Sequence, residues 1–122
     1  MTKTLTQNLK QLAERIQEEF PTIHCDIASN RNILMRFKAS DTLVGIITNI
    51  YSFANKLDHP ENYLYTQISF SEPEENFARY LKKIAEKRKL DYYRSEKIVR
   101  LRAKEKQIKS ISISLIRKYL LY

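Results

Sequence analysis

With one glycine and three prolines in 122 residues, the chain has little of the punctuation on which tight turns depend. That scarcity argues against collagen-like segments, flexible linkers, phosphate-cradling glycine loops and a turn-rich β barrel, and it leaves helices to carry much of the chain. The length suits one domain over residues 1–122, which on folding buries roughly two-thirds of the surface its unfolded chain exposes. A hydrophobic content of 43% beside 30% charged residues is that of a globular chain with a packed core.

Periodicity then divides the chain. Leu5, Leu9, Leu12, Ile16 and Phe20 recur every three or four residues, which predicts an amphipathic helix closed by Pro21, with Thr4 and Gln7 fitting a capping box. Residues 22–28 and 32–38 read as two strands of a hairpin turned at Ser29, Asn30 and Arg31, with Ile23, Cys25 and Ile27 on one face of the first and Ile33, Met35 and Phe37 on one face of the second. Ser40 is the expected N-cap of a second helix through about Leu57, whose apolar face would comprise Leu43, Val44, Ile47, Ile50, Tyr51, Ala54 and Leu57. After a break at Asp58, His59 and Pro60, residues 63–70 read as a strand, with Leu64, Thr66 and Ile68 opposite Tyr63, Tyr65 and Phe70. Both faces are apolar or aromatic, as befits a strand inside a sheet.

Ser71 and Glu74 match the S-x-x-E capping box with Pro73 in the first turn, so a third helix is expected there, burying Phe77, Leu81, Ile84 and Ala85. Beyond Ser95 two patterns compete. Tyr93, Val99, Leu101 and Ala103 alternate with Arg94, Arg100 and Arg102 as a strand would, whereas Ile98, Leu101, Ile108, Ile111 and Leu115 keep helical spacing. The preferred division is a strand over about residues 92–101 and a terminal helix from about Lys104; one continuous helix from residue 95 to residue 121 would reach about 40 Å. The expected fold is therefore α+β: N-terminal helix, β-hairpin, helix, strand, helix, strand and C-terminal helix, with a small antiparallel or mixed sheet covered by helices.

Charge is unevenly spread. The net charge is +8, yet residues 1–60 carry only +1, while residues 79–118 hold fifteen Lys/Arg against four Asp/Glu, a net of +11. Such a field attracts polyanions. Long flexible cations meet phosphates and aromatic rings stack unpaired bases, so the mixture of the two in this segment points to a nucleic-acid surface. The candidate residues are Arg79, Lys82, Lys83, Lys87, Arg88, Lys89, Tyr92, Tyr93, Arg94, Arg100, Arg102 and Lys104. On a strand Arg100 and Arg102 share a face, with Arg94 further along it. A second, lesser candidate is a stacking platform of Tyr63, Tyr65 and Phe70 on an open sheet face.

Other constellations have plainer readings. His24, Cys25 and Asp26 are adjacent, but neighbouring strand residues point to opposite faces, so His24 and Cys25 do not meet and Cys25 is expected in the core. Glu72, Glu74 and Glu75 sit where a helix N-terminus favours acid. No catalytic residue, cofactor or metal site is assigned, since zinc wants several Cys or His ligands. A single cysteine cannot form an internal disulfide, and the first residues are polar, which suits the cytoplasm. The stretch 43–57 is too short and too polar to span a bilayer, so no membrane role is expected.

The function expected from these features is a small non-catalytic protein that binds DNA or RNA through its basic C-terminal half. Two alternatives stand beside it. One is a small ribonuclease toxin that would work through Lys, Arg and Tyr. The other is an interaction or assembly module that forms a homodimer through its C-terminal segment, which ends in Leu120, Leu121 and Tyr122 without a solubilising tail.

Overall fold

A computed structural model of the chain describes residues 5–29, 31–51 and 64–122. The elements run α1 (Leu5–Glu19), β1 (Ile23–Ala28), β2 (Asn32–Phe37), β3 (Leu43–Tyr51), β4 (Leu64–Ser71), α2 (Glu75–Arg88), β5 (Asp91–Arg94), β6 (Ile98–Lys104) and α3 (Glu105–Leu121). The six strands form one antiparallel sheet in the order β1-β2-β3-β4-β6-β5, so the fold is α+β. β1 to β4 make a meander, and the chain crosses through α2 to add the β5–β6 hairpin beyond β4.

One face of this sheet carries the core. Ile23 and Cys25, Ile33 and Met35, Ile47, Ile68 and Phe70, and Val99 and Leu101 are buried on successive strands and lie in register across it. α1 packs on β1 and β2, α3 on β4 and β6, and α2 on β5 and β6. Each presents its apolar stripe: Leu9, Leu12, Ala13 and Ile16 from α1, Phe77, Ala78, Leu81 and Ala85 from α2, and Ile108, Ile111, Leu115 and Ile116 from α3. Burying one such leucine or isoleucine contributes about 1.5–3 kcal/mol. Phe70 joins the layers, with its ring centroid 4.9 Å from that of Phe77 and 5.1 Å from that of Tyr119. None of the described helices lies on the second face of the sheet.

The expected helix from Ser40 is a correction. Residues 43–51 form β3, because Val44, Ile46, Ile47, Thr48 and Ile50 are β-branched and because Ile47 and Asn49 point to the core while Ile46, Thr48 and Ile50 alternate to the other face. What reads as a wide helical stripe is the apolar pair of faces of a strand with neighbours on both sides. A bulge at Val44 breaks the β2–β3 register between Met35 and Arg36. Gly45 follows it, and a Cβ there would sit 2.1 Å from the Ser69 carbonyl oxygen, so glycine permits the close approach of β3 and β4. The continuation of that expected helix to Leu57, the break at residues 58–60, Tyr63, and the Thr4 capping residue lie outside the described residues.

Two smaller corrections follow from register. Phe70 lies on the core face with Thr66 and Ile68, not with Tyr65, since same-face residues on a strand are two apart. The Ser71–Glu74 box is not the helix boundary: Ser71 ends β4 paired with Ile98, Glu72 takes a left-handed φ of 46°, and Glu74 caps α2 by accepting from Asn76 N at 3.0 Å. The residues expected as one strand over 92–101 form the two strands of a hairpin. Ser95 Oγ accepts from the amides of Lys97 and Ile98 at the turn.

Candidate nucleic-acid interface

α2 is amphipathic, and its apolar stripe faces β5 and β6, so Arg79, Lys82, Lys83, Lys87, Arg88 and the capping Lys89 are turned to solvent. Lys87 and Arg88 sit in the last turn, where the helix dipole favours cations. Lys89 ends the helix in the left-handed conformation with φ 58° and ψ 49°, and Leu90 tucks in behind it.

The hairpin beneath divides its side chains between two sides. Tyr92 faces the helix and donates its hydroxyl to the Ala78 carbonyl at 3.4 Å; burial, with a smaller push from Glu75 against a pull from Arg94, raises its pKa above the ordinary phenol value. Tyr92 thus anchors α2 rather than offering a ring to solvent. Arg94 lies on that side as well and pairs with Glu75, which also holds Arg79 at 3.3 Å. The Arg94 hydrogen bond is the chief reason that the Glu75 carboxyl lies below its ordinary range and Arg94 above its own. The expectation that Arg94 extends the row of Arg100 and Arg102 is therefore corrected. The turn at Ser95 puts it on another strand and on the opposite face, opposite Val99 in register, and for the same reason Tyr93, expected on the face of Val99 and Leu101, lies opposite Arg100 instead.

Tyr93, Arg100, Arg102 and Lys104 come together on the second face. Tyr93 is 47% exposed, and the Arg100 guanidinium carbon lies 5.0 Å from its ring centroid. Arg100 also reaches Asp91 at 3.4 Å. Arg102 donates through Nη2 to Gln67 Oε1 at 3.0 Å, while its buried Nε has no partner among the described residues. Gln67 is the member of this group that sequence reading missed. Its alternation with Tyr65 on β4 was visible, but the β4–β6 pairing that brings it opposite Arg102 was not.

The structure thus gathers the basic residues at the β5–β6 end of the sheet, on both of its sides. Among the described residues, Lys82, Lys83, Lys87, Arg88, Lys89 and Lys104 are exposed and form no ion pair. Of the three tyrosines near this segment, Tyr93 is open, Tyr92 lies under α2, and Tyr80 is half-buried with the Lys118 ammonium 5.3 Å from its ring centroid. Of the second aromatic candidate, Tyr65 is on the second face, half-buried and in register with Lys104, whereas Phe70 is fully buried.

The remaining constellations carry no reactive geometry. His24 and Asp26 share the outer face and are joined at 2.9 Å, while Cys25 points inward, its thiol pKa pushed up to about 12 by burial and by the charge of Asp26. Among the described residues no group of three or more His, Cys, Asp or Glu is placed to hold a metal ion, and no helix is long and apolar enough to cross a membrane. Compared with protein-family models, with curated proteins and with solved structures, the chain matches none.

Proposed function

We propose that the protein binds nucleic acid without catalysing a reaction on it, through the cations at the β5–β6 end of its sheet. The observation that carries this reading is the exposed, unpaired set Lys82, Lys83, Lys87, Arg88 and Lys89 on the α2 side of the sheet, with exposed Lys104 and with Arg100 and Arg102 on the other. From Glu75 to Lys104 the chain holds eleven Lys/Arg against four Asp/Glu, a net of +7, and Glu75 compensates just Arg79 and Arg94. The lysines supply flexible point charges for backbone phosphates, and they confer affinity rather than base specificity. The buried thiol of Cys25 suits a reducing compartment such as the cytoplasm.

Titrating labelled DNA and RNA oligonucleotides over a range of salt concentrations tests the reading. If about five phosphates are neutralised, the logarithm of affinity falls against the logarithm of salt with a slope near −4 to −5. Reversing Lys82, Lys83 and Lys87 to Glu flattens that slope. Absence of any salt-dependent affinity for DNA or RNA overturns the proposal, and cleavage of the RNA on incubation would replace binding alone by hydrolysis.

A second reading, a homodimer through the C-terminal segment, draws on one observation. Leu121 is 72% and Tyr122 51% exposed, next to grooves lined by Phe37 and Leu120. Light scattering tests it, and a strict monomer at micromolar concentration, alone and with oligonucleotide, removes it.

A further inference from the structure

The second face of the sheet has an order of its own. Register places Tyr93, Arg100, Ser69 and Ile46 in one row across β5, β6, β4 and β3, and Asp91, Arg102, Gln67 and Thr48 in the next. A further row holds Lys104, Tyr65 and Ile50 on β6, β4 and β3. Strands lie about 4.8 Å apart and same-face residues about 6.6 Å apart, so Tyr93 and Tyr65 stand on a diagonal about 16 Å long. Arg100, Arg102 and Gln67 occupy the ground between them.

We infer that this face receives a single strand of nucleic acid, with unpaired bases stacked on Tyr93 and Tyr65 and the intervening phosphates met by Arg100 and Arg102. The inference rests on the nucleic-acid reading above and narrows it to a strand with free bases. One feature favours that ligand over a duplex, and two more suit the phosphates it brings. Tyr93 offers an exposed ring already stacked with a guanidinium, a combined π surface that a base can extend and that a duplex, its bases hidden, cannot use. Arg102 is oriented in advance by Gln67, which lowers the cost of fixing its guanidinium on a phosphate. Finally, Asp91 is the one acid among the described residues of these rows, against three cations, and it sits at the β5 edge. The lysines of α2, on the other side of the sheet, then add sequence-independent attraction around the edge strand.

The experiment measures anisotropy of labelled oligo-dT and oligo-U of about 12 nucleotides, and of the corresponding duplexes, with the full chain, Tyr93→Ala and Tyr65→Leu. Tyr93 is on an edge strand and half open, so its removal leaves the core intact, which circular dichroism on heating verifies. Single strands are expected to bind tenfold or more tighter than duplexes. Loss of either ring should weaken the single strand by about fivefold or more and leave the duplex unchanged. The oligo-dT and oligo-U arms separate DNA from RNA. Equal affinity for strand and duplex, or an equal response of both to Tyr93→Ala, overturns the inference while salt-dependent binding keeps the broader function. No binding to any oligonucleotide overturns both.

Discussion

Asn49 and Thr66 face one another across β3 and β4, and the Thr66 hydroxyl donates to the Asn49 side-chain oxygen at 2.8 Å inside the core. Both are buried, at 1% and 0% exposure, so each hydrogen-bonding atom depends on the protein rather than on water. Thr66→Val removes the donor but keeps the shape, and it should cost about 1–3 kcal/mol because the Asn49 oxygen is left desolvated. Asn49→Leu combined with Thr66→Val should recover part of that loss, since a pair removed together strands neither partner. Urea midpoints of the parent and of these two variants measure both effects; an unchanged midpoint for Thr66→Val would show that the pair contributes nothing.

Glu75 ties the start of α2 to β5 through Arg94. Chiefly through the Arg94 hydrogen bond, its carboxyl titrates below the ordinary value of 4.5 in the folded protein. A depressed folded pKa contributes stability that is present above the unfolded pKa and is lost as pH falls through the folded one. Glu75→Gln should therefore lose less stability than the parent between pH 5 and pH 2 (about the carboxylate range), a gap that narrows in high salt because the pair is exposed. Denaturant titrations at both ends of that range give the comparison. The same variant frees Arg79 and Arg94, so its affinity for oligonucleotides should rise.

How far the sequence foretold this arrangement depended on whether a signal was local. α1, the β1–β2 hairpin and α3 lie within a residue or two of the expected bounds, because a 3.6-residue stripe, alternation and a polar turn are written in consecutive residues. β3 was misread because Leu43, Val44, Ile47 and Ile50 satisfy helical spacing, and the deciding fact, that β4 pairs along the second edge of β3 from Gly45 to Tyr51, is set by residues 64–70, outside any local window. Clustering of Arg100 and Arg102 was legible as same-face spacing on a strand. The opposite fate of Arg94 was not, since it hangs on a turn at Ser95 made by side-chain hydrogen bonds. Tyr92 and Tyr93 look equivalent in sequence; the edge position of β5 and the helix above it give one to the core and the other to solvent.

Cys25 should be chemically silent. It faces α1 from β1, its backbone amide donates to Gln17 Oε1 at 3.0 Å, and burial first, then Asp26, push the thiol to about 12. At pH 8 the thiolate fraction of such a group is roughly one in ten thousand. A colourless-to-yellow disulfide reagent should therefore react with the native protein orders of magnitude more slowly than with the chain in denaturant. Rapid native reaction would mean that α1 opens from the sheet, and substitution of Cys25 by Ala or Val should leave nucleic-acid binding unchanged.

Lys89 combines a local strain with a charge, and substituting it separates stability from binding. Its φ of 58° and ψ of 49° lie in the left-handed region, where a side chain is disfavoured by about 1 kcal/mol relative to glycine. Lys89→Gly relieves that strain at the C-cap but makes the unfolded chain more flexible, which offsets part of the gain. A net stabilisation of about 0.5 kcal/mol should appear as a higher urea midpoint. The same change deletes one exposed cation at the end of α2, so oligonucleotide affinity should fall and the salt slope should shrink by about 0.9 if Lys89 meets a phosphate. A variant that is more stable yet binds less tightly, with the deficit greatest at low salt, identifies charge rather than folding as the source of affinity. If binding instead rose with stability, the lysines of α2 would have to act by holding the helix against β5 and β6, which their exposure argues against.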